Sequence, residues 1–316
     1  MKSVDVIVPV YNEEAGIAQF DGALRRVLDA LAGSYEFQII YVLDRSPDGS
    51  HHVLKSLVEK GKNSTLLHLS SRFGHQMSLV AGLDYSEGDA VIMMDSDLQH
   101  PPELIPELLK RFEQGYDVVQ TLRSYGREIS LVKRMTSRSF YWLQNVLSPV
   151  ELKDGAADFR LVSRRVVRVF QKSIREHNQF LRALFQWVGF RTAYVTFISP
   201  PRAAGRTKYT LGRLLAFMAD GVVSFSRAPL RAVTLIGFLL SAVSLAYGAF
   251  LVSVYFLFGD LPRGYTSLIV VVLFIGGLQL TVTGVVGEYI GHIFDEVKSR
   301  PLYIVDEVIS SGERPQ

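Results

Sequence analysis

Short β-branched runs alternate with amphipathic stretches through the first third of the chain, and that rhythm leaves few architectures open. From Val4 to Val10 the run VDVIVPV ends at Tyr11-Asn12-Glu13-Glu14, where helix-start chemistry begins. Ile17, Phe20, Leu24, Val27, Leu28 and Leu31 then recur at three- and four-residue spacings, and FQIIYVL over Phe37–Leu43 supplies a second apolar strand. Thr65–Leu69, a helix around Gln76–Asp84, the AVIMM run at Ala90–Met94, a helix started by Pro102 and DVVQ at Asp117–Gln120 continue the alternation. Repeated βαβ units predict an α/β fold, a mostly parallel sheet with helices on both faces. Ligands of such sheets bind beyond the carboxyl ends of the strands, so the loops there are where chemistry is expected.

The C-terminal third has a different texture. Neither Val233–Phe258 nor Tyr265–Gly287 contains a charged residue, and each exceeds the roughly 20 apolar residues that cross a bilayer. Two transmembrane helices, about 233–258 and 265–290, are therefore expected. The short GDLPRG connection leaves both outer ends on one side, and Arg227, Arg231, Lys298 and Arg300 place those ends in the cytoplasm by the positive-inside rule. Met1 leads almost directly into a strand pattern without a cleavable signal, which puts the N-terminal part in the same compartment. The expected organisation is a cytoplasmic catalytic domain at 1–206, an amphipathic juxtamembrane segment at 207–231, the two spans within 232–291 and a cytoplasmic tail at 292–316. Gly276, Gly277 and Gly284 suit close packing between spans, and with it a homo-oligomer.

With 34 basic and 31 acidic residues, the chain is too balanced to suggest nucleic acid as a partner. Its basic residues cluster instead between Arg123 and Arg182, a pattern that suits phosphate groups or membrane lipids as well as an ordinary solvated helix face. The absence of cysteine excludes disulfides, thiolate catalysis and Cys-ligated metal centres. The chain also lacks the G-x-x-x-x-G-K-[ST] run of P-loop kinases and ATPases.

The sharpest local feature is MMDSDLQHPPE, in which Asp95 and Asp97 directly follow a buried-looking strand. An Asp-x-Asp pair is common on surfaces. At the carboxyl edge of a parallel sheet, however, two acids repel unless a cation balances them, and hard oxygen ligands suit Mg2+ or Mn2+. Such an ion bridges a diphosphate and neutralises it as it departs. Gln99 adds a neutral oxygen two residues on.

VDVIVPVYNEE, the loop Asp44-Arg45-Ser46-Pro47-Asp48-Gly49-Ser50 and DSDLQHPPE, in this order, resemble the family-2 glycosyltransferases of the GT-A, Rossmann-like fold. SRFGHQMSLVAGLDYSEGDAV, GAADFRLVSRRVV and GEYIGHIFDEVKSRPLY extend the resemblance over nearly the whole chain, toward the polyprenyl-phosphate glycosyltransferases, including the bactoprenol glucosyltransferases and dolichol-phosphate mannose synthases. The bacterial two-span branch is the nearest, which implies a multi-pass protein of the bacterial inner membrane. The resemblance implies a metal-dependent, inverting transfer of a hexose from a nucleotide-sugar, UDP-glucose first, to undecaprenyl phosphate. It assigns Pro9, Tyr11 and Glu13 to the nucleotide loop, Asp44 to the base or ribose, and Asp95, Asp97 and Gln99 to the metal and diphosphate. Asp97 and Asp158 take the catalytic positions, Arg123, Lys133 and Ser137 the acceptor phosphate, and Arg202, Arg206 and Lys208 a loop closing over donor or acceptor.

Two departures stand out. Many relatives carry two acids in the second-strand loop where this chain has Leu43-Asp44-Arg45, and a processive Gln-x-x-Arg-Trp motif is approached only by Gln179 and Arg182, with Ala183 in place of the aromatic residue. A phosphate monoester is largely ionised near neutral pH, its second pKa being about 6, so Asp158 is expected to orient substrate more than to accept a proton. Two rival readings stay open at this level: a non-catalytic membrane partner that binds nucleotide-sugar or lipid, and a transferase acting on a protein or glycan.

Overall fold

The computed structural model describes residues 1–124, 153, 155–177, 179–198, 228–258 and 264–311. Its centre is an eight-stranded sheet: β1 (Lys2–Val10), β2 (Tyr35–Leu43), β3 (Ser64–Leu69), β4 (Ala90–Met93), β5 (Val118–Ser124), β6 (Ala156–Ser163), β7 (Thr192–Ile198) and β8 (Val305–Ser310). The order across it is β7-β5-β6-β4-β1-β2-β3-β8. The α/β expectation holds, but the sheet is mixed. Parallel pairing joins β4, β1, β2 and β3 and also β5 with β7, while β6 and β8 run antiparallel to their neighbours.

Side chains alternate across the central strands. Val4, Val6, Val8 and Val10 of β1 join a core with Ile17, Phe20 and Leu24 of α1 (Ile17–Leu31), Leu54 and Val58 of α2 (Ser50–Lys60), and Ile105 and Leu108 of α4 (Ile105–Glu113). Ile7 points the other way, toward Gly82 of α3 (His75–Tyr85), where any added methyl group would collide with it. Gly82 thus lets α3 lie close on β1, and its first residue, His75, arrives at the carboxyl edge of the sheet. Two further helices, α5 (Arg164–Lys172) and α6 (Leu181–Trp187), follow β6.

Residues expected to form a C-terminal tail instead include an edge strand. β8 pairs with β3 from Thr65↔Ser310 to Leu69↔Val305, and Tyr303 Oη donates to Asp84 at 2.7 Å on α3. Described residues up to Ile198 and from Arg300 onward belong to this compact unit.

A second unit contains α7 (Ala228–Phe258) and α8 (Tyr265–Val297), whose bounds meet the stretches expected to span a bilayer. Among the described residues, however, no helix is long and apolar enough to cross a membrane. Within α8 the unbroken run of described side chains, residues 274–297, carries Gln279, Glu288, His292, Asp295 and Glu296. The expectation of a multi-pass inner-membrane protein is corrected accordingly, together with the cytoplasmic placement built upon it.

Candidate active site

Four loops meet at the carboxyl edge of β1, β2, β3 and β4. After β1 the chain turns through Asn12, whose φ of +59° lies in the left-handed region that asparagine tolerates best after glycine. The segment after β2 braces this turn. Ser46 Oγ accepts the Asn12 N–H at 3.0 Å, Ser50 Oγ accepts the Glu13 N–H at 3.0 Å, Asp48 accepts the Glu14 N–H at 3.0 Å, and Gly49 N–H returns a bond to Glu14 at 2.9 Å. Asp44 is buried, and its two oxygens accept the N–H groups of Phe73 at 2.8 Å and Gly74 at 2.9 Å. Gly74 takes φ +91°, a conformation that side-chain-bearing residues rarely adopt.

These loops border an open cleft lined by Pro9, Tyr11, Asp44, Arg72, His75 and Ser78. The Arg72 guanidinium sits 4.3 Å over the Tyr11 ring, so one wall presents an aromatic face backed by a cation.

His75 links the cleft to the acidic groups. Its Nε2 stands 3.5 Å from Asp95 Oδ1 and 3.8 Å from Asp158 Oδ2. Burial acts to lower the His75 pKa, but the Asp158 and Asp95 carboxylates outweigh it and leave the net shift upward. Asp95 follows β4 in a tight turn in which Asp97 Oδ1 accepts the Gln99 N–H at 3.0 Å and Leu98 adopts φ +59°. The Asp95 N–H donates to His100 Nδ1 at 2.9 Å. A backbone N–H can only donate, so Nδ1 carries the lone pair and the imidazole is the Nε2–H tautomer. Burial pushes the His100 pKa down, the ring stacks on Phe159 at 5.3 Å, and Phe197 meets it edge-on at 6.2 Å. The histidine that fixes the Asp95 backbone is thereby held neutral.

Asp158, on β6, is the most heavily engaged carboxylate of the group. Oδ1 accepts from Arg160 Nη2 at 2.8 Å and Arg182 Nε at 3.0 Å, and Oδ2 from Arg182 Nη2 at 2.6 Å. Burial alone would raise its pKa, yet Arg182, the His75 interaction and Arg160 hold it well below the usual carboxylate range. Arg160 is almost fully buried, lies 4.6 Å over the Phe185 ring and donates to the Ala157 carbonyl at 3.1 Å. Burial pulls its guanidinium down to about 10, which still leaves it protonated at neutral pH.

Comparison with known proteins places this geometry. Glycosyl transferase family 2 matches residues 5–170, more than half of the chain. The chain belongs to that family. It is 38% identical over 302 residues to the SfII prophage-derived bactoprenol glucosyl transferase of Shigella flexneri, covering 96% of this chain and 97% of that protein. An uncharacterized glycosyltransferase of Synechocystis is 40% identical over 306 residues, covering 96% of this chain and 95% of its own length. Among solved structures, mannosyl-3-phosphoglycerate synthase from Rubrobacter xylanophilus is 18% identical, with a TM-score of 0.49 and 75% of each chain covered.

For this family-2 chain, Pro9, Tyr11 and Asp44 line the cleft, while Glu13 stands in the braced loop beside them. Asp95, Asp97 and Gln99 share one turn, and His75 brings Asp158 to Asp95. Arg123 is half-buried at the end of β5, and its Nε is buried without a hydrogen-bond partner. Lys133, Ser137, Arg202, Arg206 and Lys208 lie outside the described residues. Sequence reasoning missed His75 and His100 as site residues and weighed Arg160 only within the basic cluster and Arg182 only there and in a processive motif. Their signal was the motif strings around them, since no periodicity announces a side chain that reaches across three elements.

The aspartate turn passes one test as a cation site: Asp95 Oδ1 is buried without a hydrogen-bond partner, with the His75 imidazole 3.5 Å away as a charged neighbour, so a hard cation would supply the coordination that this oxygen lacks. Among the described residues, the group of three close histidine and carboxylate ligands lies elsewhere, at His51, His68 and Glu307.

Proposed function

We propose that this chain is an inverting hexosyltransferase that uses a UDP-linked sugar, glucose first, and undecaprenyl phosphate as acceptor. The observation that carries the reading is the state of Asp158. A carboxylate held far below its usual pKa by two arginines is a poor proton acceptor, so the buried acid nearest the aspartate turn does not suit activation of a sugar or protein hydroxyl. A phosphate monoester needs no such help, because its second pKa of about 6 leaves it anionic near neutrality. The bactoprenol glucosyl transferase relatives support the same acceptor class.

In this scheme an oxygen of the acceptor phosphate forms the new bond to the anomeric carbon as the bond to the nucleoside diphosphate breaks, the electron pair leaving with the diphosphate. Tyr11 and Arg72 hold the base end of the donor, and the braced loop at Glu13 and Asp44 fixes the ribose. Asp95 and Asp97, with Gln99, would hold Mg2+ or Mn2+, which supplies charge neutralisation to the departing diphosphate. Asp158 anchors Arg182 and His75 around the sugar, and Arg123, with Lys133 and Ser137, receives the acceptor phosphate. Arg202, Arg206 and Lys208 close over the bound pair. Positioning and electrostatics carry the rate enhancement.

The test presents purified protein with a panel of radiolabelled nucleotide-sugars and three acceptor classes: undecaprenyl phosphate, an oligosaccharide and a peptide. Label in the lipid phase alone is expected. Transfer to oligosaccharide or peptide, or binding of donor without transfer to any acceptor, overturns the assignment.

A further inference from the structure

Three rigid elements bring His51, His68 and Glu307 together on the side of the sheet that β8 closes. His68 on β3 and Glu307 on β8 are direct cross-strand partners, and His51 sits on the first turn of α2. One ligand atom of each lies within 4.8 Å of the others. His51 Nε2 and Glu307 Oε2 are already 3.0 Å apart, close to the roughly 3.3 Å that a tetrahedral ion with bonds near 2.0 Å imposes on neighbouring ligands. The imidazole rings of His51 and His68 have centroids 4.6 Å apart. The strand register shifts immediately after His68, and such irregularities re-aim a side chain out of the regular pleat.

Two imidazoles and one carboxylate form a borderline-soft donor set, unlike the hard oxygen pair of the aspartate turn. We propose that His51, His68 and Glu307 bind a Zn2+-class ion that fastens β8 to β3 and α2. The site is separate from Asp95 and Asp97 in ligand type and in the elements that build it. Lys55, one turn after His51, reaches Glu307 Oε1 at 3.6 Å, so it neutralises the carboxylate when no ion is bound and swings aside when one is. The consequence reaches the donor loop. His51 directly follows Ser50, whose hydroxyl accepts the Glu13 N–H, so an ion that fixes the start of α2 also stiffens the loop assigned to the nucleotide.

The test uses the full chain, stripped with chelator and then titrated with Zn2+, and with Co2+ for its visible absorption. Wild type is expected to take up one equivalent with nitrogen-ligand Co2+ spectra and a raised unfolding midpoint. His68→Gln and His51→Gln should each bind at least about 100-fold more weakly, while sharing the unfolding midpoint of metal-free wild type. The double variant Asp95→Asn, Asp97→Asn should bind as wild type does. Absence of uptake by wild type, undiminished binding in both histidine variants, or loss of binding in the double aspartate variant each overturns the proposal.

Discussion

Replacing Asp158 by Asn tests how the site is held together. Arg160 is 1% exposed and, among the described residues, Asp158 is its carboxylate within ion-pair distance, with three charge-assisted hydrogen bonds of 2.6–3.0 Å converging on that one group. Removing one partner of such a buried pair strands the other charge, at a cost of about 3–5 kcal/mol. That is a large share of the ~5–15 kcal/mol that folded domains possess. Arg182→Ala should cost less, about 1–3 kcal/mol, because the buried Asp158 carboxylate that it leaves behind keeps its pairing with Arg160. Adding Arg160→Met to Asp158→Asn should restore much of the loss, since apolar replacement of a whole buried pair is close to neutral. Urea unfolding followed by tryptophan fluorescence gives the three free energies. The sign in pH also follows: a depressed carboxyl contributes stability above its ordinary value of 3.8, and that contribution fades only as pH falls through the depressed one. The gap between wild type and Asp158→Asn should therefore be undiminished at about pH 5. A single-variant cost below about 1 kcal/mol, or a double variant less stable than Asp158→Asn, would refute the account of this network.

His75 has a raised pKa, so its charged form adds stability in full below the ordinary 6.5 and loses it as pH rises through the raised value. The stability difference between wild type and His75→Gln should be larger at about pH 6 than at about pH 9, and a gap that widens with pH would count against the pairing. Gly82→Ala should lower stability by about 1 kcal/mol or more, because the clash with buried Ile7 exceeds the gain in helix propensity, and a higher denaturant midpoint would contradict that. His100→Phe keeps a ring against Phe159 but leaves the Asp95 N–H without its acceptor, so transfer should fall while the far-ultraviolet spectrum stays native; unchanged transfer would remove His100 from the site.

Much of the sheet was legible because parallel strands buried on both faces read as uninterrupted apolar runs, as in Val4–Val10 and Phe37–Leu43. β8 was not, since VDEVIS has the weak alternation of any half-exposed segment and becomes a strand only through pairing with β3. β6 escaped for a related reason. It enters between β4 and β5 from far along the chain, and this antiparallel insertion makes the sheet mixed. Uncharged length suggested two spans, but among the described residues no helix is long and apolar enough to cross a membrane. Asp95 and Asp97 were readable from their place after a buried strand. His75, Arg160 and Arg182 were not, because only the folded chain brings α3, β6 and α6 to one carboxylate.

The central claim is that the aspartate turn holds a cation against a sugar nucleotide's diphosphate, and Asp97→Asn probes it most directly. Initial rates of sugar transfer from UDP-glucose to undecaprenyl phosphate would be measured for both proteins across a Mg2+ and Mn2+ titration. Wild type should depend on the ion and lose transfer in chelator, and Asp97→Asn should lose most of its turnover, by the roughly 100-fold or more typical of removing transition-state charge stabilisation. Transfer that survives chelation in wild type, or proceeds undiminished in the variant, would contradict the account.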